Sequence, residues 1–281
     1  VETPLAWTCP NCGIPLSTRY CPSCGESPPN PRDLTLRGLF RQAGASFTNI
    51  DGRLMRSLRC LVARPGELTV AYVEGRRKPY IGPFQLFLIA NLAFFAIQSL
   101  THGNVLSSTL NSHLHDQDWS GLAQTLVARR LGQEGTTLAA YAPVFDQAIV
   151  LNAKSLIALM VLPFALLLPL VFYRRHRPFM VHVVFSVHLH TFALLLFCAA
   201  MTLAQLDVWR GGDGLRSPHV DDVLTVSILL ASAAYLYAAI RRVYPARAAV
   251  RAVQATALAL AMGCIVLAYR FALLVITLYS T

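Results

Sequence analysis

Long apolar runs dominate the chain after its first third. Five of them, 84–100, 155–173, 179–205, 223–240 and 252–278, hold enough continuous apolar sequence to cross a bilayer as helices. Spanning ~30 Å of hydrocarbon takes about 20 residues. The second run carries Pro163 and Pro169 and is predicted to kink. The third holds three histidines, His182, His188 and His190, and Arg270 interrupts the fifth. If the fifth helix starts at Ala252, Arg270 sits about 27 Å along it, near the outer interface, where its stem can snorkel or its head can meet an anion.

The region before these runs has a different periodicity. Asp33 can cap a helix with Leu36, Leu39, Phe40, Ala43 and Phe47 on one side. Asp51 can cap a second, in which Leu54, Leu58, Leu61 and Val62 form a face while Arg53, Arg56 and Arg59 lie mostly opposite. "RPG" at residues 64–66 stops it, and a short segment from Glu67 to Glu74 leads into "GRRKPYIGP". Such helices either lie in the membrane interface, with the arginines and Arg76, Arg77 and Lys78 on anionic headgroups, or pack on the ends of the bundle. The predicted division is residues 1–27, 28–82 and 83–281, with an outer loop at about 101–154. In that loop a small amphipathic helix can run from Trp119 through Leu122, Leu126 and Leu131, and the H-x-H of His113 and His115 could touch a metal but reads first as a solvated polar loop.

Charge sharpens this picture. Only 14% of the residues are charged, against roughly 25% in soluble domains. The net charge of +10 would point to nucleic acid in a soluble protein, but the basic faces carry little aromatic interleaving, and this argues against nucleic acid here. Eighteen of the 24 cations fall on one side if the N-terminus is inside. By the positive-inside rule the N-terminus is cytoplasmic and the C-terminus periplasmic, in a multi-pass inner-membrane protein. Val1 in place of Met points to a start upstream or to a non-standard start codon, and no export signal is visible ahead of the first long apolar run.

"CPNCG" and "CPSCG" place Cys9, Cys12, Cys21 and Cys24 as two C-x2-C pairs eight residues apart. Gly13 and Gly25 let each turn close tightly. Four thiolates in a tetrahedron suit Zn(II), with iron the minority alternative, and a reducing compartment disfavours disulfides. With every ligand position filled by cysteine the zinc is structural, holding together a module too small for a core. Cys60, Cys198 and Cys264 stand alone and read as small packing residues.

At 100° per residue His182, Ser186 and His190 share one side of the third span, and His188 points elsewhere. Two histidines about 12 Å apart cannot hold one ion, and the other four spans contain none. Polar groups at that depth must face protein or water. Asn91 and Gln98 of the first span are candidate partners, either in a structural hydrogen-bond network or along an ion path. No phosphate loop, H-E-x-x-H or G-x-S-x-G is present.

These motifs resemble an uncharacterised group of bacterial zinc-ribbon inner-membrane proteins, domain of unknown function 3667. The resemblance rests on the "CPxCG" pair, on Arg64-Pro65-Gly66, on Gly75, Arg76, Arg77, Tyr80 and Pro83, and on His182, Phe185, His188, His190 and Phe192. It implies a ribbon joined to a helical bundle and lends no activity; if the motif residues act together, "GRRKPY" and His182 would meet at the cytoplasmic end of spans one and three.

The sequence therefore predicts an all-α integral membrane protein of about five transmembrane helices, with a small N-terminal zinc ribbon and cytoplasmic amphipathic helices. The leading functional expectation is non-enzymatic movement or sensing of a small ion or solute along the histidine-bearing helix. The alternative is a membrane-anchored adaptor or scaffold whose ribbon binds a cytoplasmic protein, the bundle serving as anchor or homo-oligomer. A redox or lipid-modifying enzyme ranks lowest, since paired carboxylates are missing from the spans.

Overall fold

The computed structural model describes residues 6–18, 20–24, 26, 28, 51–101 and 105–281. Gly25 and the helix expected after Asp33 lie outside the described residues. The N-terminal module is a two-stranded antiparallel ribbon, β1 (Trp7–Thr8) against β2 (Pro15–Leu16), with Trp7 opposite Leu16. Gly13 takes φ +71°, which lets its amide fold back onto the Cys9 carbonyl at 2.8 Å.

Helix α1 (Asp51–Ala63) buries Ser57, Cys60 and Leu61 and leaves Arg56, Arg59, Met55 and Val62 exposed. Through Cys60 and Leu61 it packs on the bundle. Gly66 then turns the chain at φ +83°, and a Cβ there would stand 2.8 Å from the Ala239 carbonyl oxygen, so "RPG" is a close backbone approach as well as a stop. Helix α2 (Glu67–Val73) follows and buries Leu68, Thr69, Ala71 and Tyr72. Its end is a Schellman motif: Arg76 N–H reaches Ala71 O, Gly75 N–H reaches Tyr72 O, and Gly75 takes φ +82°. Helix α3 (Pro83–Thr101) begins on a proline that needs no amide partner.

The far side is more helical than its polarity predicts. Where a loop is expected, α4 (Leu110–His115), α5 (Ser120–Glu134) and α6 (Leu138–Leu156) form a cap. The amphipathic helix expected from Trp119 is present as α5. Helix α6 was not foreseen. Thr137 caps it through Ala140 N–H, and Tyr141, Phe145, Ile149 and Ala153 recur every fourth residue on its buried side. It runs on through a 3₁₀ turn (Ile157–Met160) into α7 (Val161–Val171), so the helix that carries the second apolar run extends from Leu138 to Val171. Pro163 cannot donate to the Leu159 carbonyl, which fits a break there.

Helices α8 (Phe179–Trp209), α9 (Pro218–Val243) and α10 (Ala248–Ser280) complete the chain. Five helices, α3, α6–α7, α8, α9 and α10, are long and apolar enough to cross a membrane. In α8, 78% of the apolar window is buried, against 28–39% in the others. It is the central helix, and its two sides feed two cores. One includes Phe94, Phe145 and Leu274; the other includes Leu61, Phe172 and Tyr244.

Candidate functional site

The four ribbon cysteines converge: their sulfur atoms all lie within 4.8 Å of one another, and Cys9 Sγ is 3.6 Å from Cys24 Sγ. Tetrahedral Zn–S bonds of about 2.3 Å set sulfurs about 3.8 Å apart, so the set fits a metal ion. Cys9 and Cys21 are buried, while Cys12 is exposed. Cys60, Cys198 and Cys264 take no part in the cluster.

The span-three histidines do not form one site. Each is buried and has its own partner. His182 Nδ1 pairs with the Tyr244 hydroxyl at 2.7 Å, and the two rings lie parallel, with Phe172 stacked on Tyr244 at 4.0 Å. His188 Nδ1 pairs with Thr69 Oγ1 at 2.9 Å. His190 Nδ1 lies 2.8 Å from the Ser186 carbonyl, which makes that nitrogen the donor; its ring stands edge-on to Phe164, and its buried Nε2 has no hydrogen-bond partner. Ser186 Oγ donates to the Val161 carbonyl at the break in span two. Phe185 stands edge-on to Tyr244 and Phe192 stacks on Tyr235, so each motif residue of this helix meets a different neighbour.

Two expected pairings are replaced. The helix before "GRRKPY" reaches His188, while His182 turns to Tyr244. Gln98 donates to Ser107 on the far side rather than to a histidine, and Asn91 Oδ1 is buried without a partner. Thr69 and Tyr244 were not singled out by the sequence. Neither belongs to a periodic pattern, and both are brought in across more than sixty residues of chain.

On the ribbon side, arginines tie turns together. Arg53 donates to Tyr80 O and Arg56 to Pro79 O, the latter at 3.4 Å. Arg242 donates to Pro65 O at 2.7 Å and Arg175 to Pro245 O. Ser57 Oγ accepts from Ile81 N–H at 2.9 Å. Arg76 bridges Glu67 and Glu74, at 3.0 and 2.8 Å, and the Arg77 guanidinium lies 4.8 Å from the Tyr72 ring centre. Arg59 and Lys78 are exposed. A forked guanidinium serves a carbonyl and still presents charge outward, and only two of the chain's 24 cations are lysine. The ribbon joins this network through Glu26, whose buried carboxylate accepts the backbone N–H groups of Arg77 and Lys78. A carboxylate just past the last cysteine, facing a Gly-Arg-Arg-Lys turn, was the available signal.

The far side has a polar cluster of its own. Arg270 donates to Ser108 Oγ at 2.7 Å, so its head turns into the cap. His113 is buried, against the solvated reading, because Trp119 and Phe145 close over it. Trp119 Nε1–H donates to His113 Nδ1 at 3.2 Å. Burial and, second, the charge of Arg270 push the His113 pKa down to about 4. His115 stays exposed, so the two do not share a site. A groove of about 260 Å³ lies between spans two and five, lined by apolar residues such as Leu159, Pro163, Ile265 and Ala272 together with Tyr269, and touches none of the three span-three histidines.

Fold and site together define a multi-pass helical membrane protein with a tetracysteine ribbon. Residues 51–95, which are α1, α2, the basic turn and most of span one, match the family model described as Protein of unknown function (DUF3667), and this supports membership of that uncharacterised family. No curated protein and no solved structure matches the chain.

Proposed function

We propose that this is a non-enzymatic, membrane-anchored adaptor whose ribbon, built around zinc, receives a cytoplasmic protein partner. The observation that carries the reading is the way the ribbon is mounted. Glu26 fastens one side of it to the bundle, and the ribbon turns Ile14 and Tyr20 outward, 41% and 56% exposed. Exposed apolar groups on a small fixed module favour a protein contact. The packing of span three supports this, since a helix most of whose polar groups are paired inside a core anchors better than it conducts. The cation bias supports a cytoplasmic ribbon in a bacterial inner membrane.

A second reading, handling of a proton or small ion by span three, draws on the unpartnered Nε2 of His190. One experiment separates the two. A photo-crosslinker is placed at Ile14 or Tyr20 in cells, and proton flux is measured in proteoliposomes with wild type and His190→Phe. The adaptor reading expects a discrete protein adduct that disappears with Cys12→Ser, and no flux dependent on His190. Flux abolished by His190→Phe, with no adduct, overturns it.

A further inference from the structure

The contact between Glu26 and the basic turn has the form of an anion site. After the Schellman cap has used the amides of Gly75 and Arg76, the next two, of Arg77 and Lys78, point at a single atom, Glu26 Oε2, at 3.1 and 3.0 Å. The Arg77 amide is shared with the Gly75 carbonyl at 3.0 Å, whereas Lys78 N–H has the carboxylate. Successive amides converging after a left-handed residue make a nest, which binds anions through fixed N–H dipoles. The turn that supplies these amides also carries three consecutive cations, Arg76, Arg77 and Lys78, of which Arg76 is paired with Glu67 and Glu74 and Lys78 is exposed. The carboxylate inside is 5% exposed. It belongs to another module, held there by the ribbon backbone through the 2.7 Å bond from Cys21 N–H to Glu26 O.

The nest also lies close to the start of the first candidate membrane-crossing helix. Only Pro79–Gly82 separate Lys78 from Pro83, where span one starts, so the nest stands at most about 18 Å from the first residue of the span. Polybasic turns at this position attract anionic headgroups, and a phosphate oxygen makes the same demand on two amides as a carboxylate oxygen does.

We propose that the Arg77–Lys78 turn is a phosphate-binding nest in which Glu26 is the resident stand-in, so that a phosphate group and the docked ribbon compete for the same amides. The phosphate comes either from an anionic lipid headgroup or from solution. Its entry frees the ribbon from the bundle, so the anionic character of the surface sets how firmly the ribbon is held. The inference rests on the docked ribbon and stands whether or not the ribbon receives a protein.

The test uses the full chain in maltoside micelles, free of phospholipid. Phosphatidylglycerol is titrated in one arm and inorganic phosphate in another, with chloride at matched ionic strength as control. Binding is read by native mass spectrometry, and exchange of the Arg77 and Lys78 amides by hydrogen–deuterium methods. Glu26→Ala is expected to bind the phosphate ligand several-fold more tightly than wild type and to regain amide protection when it is added. Tightening with phosphatidylglycerol alone assigns the headgroup as ligand, and tightening with inorganic phosphate assigns the soluble anion. Loss of ribbon order in the variant leaves the expectation unchanged, because the nest is vacated either way. Equal binding by wild type and Glu26→Ala in both arms, or amides left unprotected by either ligand, overturns the proposal.

Discussion

Thr69 and His188 stand 119 residues apart in the chain and share a 2.9 Å hydrogen bond inside the bundle. The bond pins a short helix outside the five spans to the most buried of them. Thr69→Val keeps the shape and removes the hydroxyl, leaving His188 Nδ1 unpaired. Unsatisfied buried groups cost about 1–3 kcal/mol, and interhelical polar contacts in membranes average ~0.6 kcal/mol. The expected loss is about 1 kcal/mol, while Thr69→Ser stays within ~0.5 kcal/mol of wild type. Unfolding in a dodecyl sulfate titration measures both, and equal stability of all three proteins would show that the bond carries nothing.

Two glycines should respond in opposite directions. Gly66 holds φ +83° with Ala239 O at 2.8 Å from the place of a Cβ, so Gly66→Ala is expected to cost roughly 1–3 kcal/mol. Gly52 lies in α1 with nothing within 4 Å, so Gly52→Ala is expected to stabilise by up to ~1 kcal/mol. The same titration reads the sign of each.

Tyr244 combines a stack and a hydrogen bond. Tyr244→Phe keeps the ring against Phe172 and loses the partner of His182, at an expected cost of about 1 kcal/mol. Tyr244→Ala also empties a fully buried site, at about 3–5 kcal/mol. Similar losses in the two variants would contradict this division.

His113 makes the far-side cap sensitive to acid. Its folded-state pKa lies near 4, below the ordinary 6.5, so the unfolded chain takes up the proton first as pH falls. The stability is fully present above about pH 6.5, drains away toward pH 4 and levels off below, with an upper size of roughly 3 kcal/mol. His113→Asn keeps an acceptor for Trp119 and should flatten this dependence. Unfolding at a series of pH values, followed by tryptophan fluorescence, checks it; a parallel slope in the variant would remove His113 as the source.

Metal removal should act locally. A chelator or Cys12→Ser is expected to abolish one bound ion per chain and expose the ribbon to protease while circular dichroism of the bundle persists, because the ribbon has almost no apolar core of its own. Elemental analysis identifies the ion. A bundle that melts together with the ribbon would show that the two fold as one unit.

What the sequence revealed depended on the range over which each signal acts. The tetracysteine cluster and the five spans are written in spacing and in apolar run length, both local properties. Helix α6 was hidden because Asp146, Asn152 and Lys154 interrupt its hydropathy, although the four-residue rhythm of Tyr141, Phe145, Ile149 and Ala153 was there to be read. The histidines stood out, but their partners did not. A hydroxyl at Thr69 or Tyr244 has no pattern around it, and only the fold selects it. His113 looked solvated for a similar reason, since the Phe145 ring that covers it comes from an element the apolar runs did not announce.

The lengths of spans two and five carry a mechanical consequence. At 34 and 33 residues, each is about 50 Å long, well beyond the ~30 Å of hydrocarbon. At the end away from the ribbon the two are lashed together, Asn152 to Thr277 at 3.0 Å and Tyr141 to Thr281 at 2.6 Å. The far-side cap is therefore carried on the tips of two stiff shafts instead of hanging from loops. The 3₁₀ turn at Ile157–Met160 interrupts the regular hydrogen bonding of one shaft and is where it bends most easily.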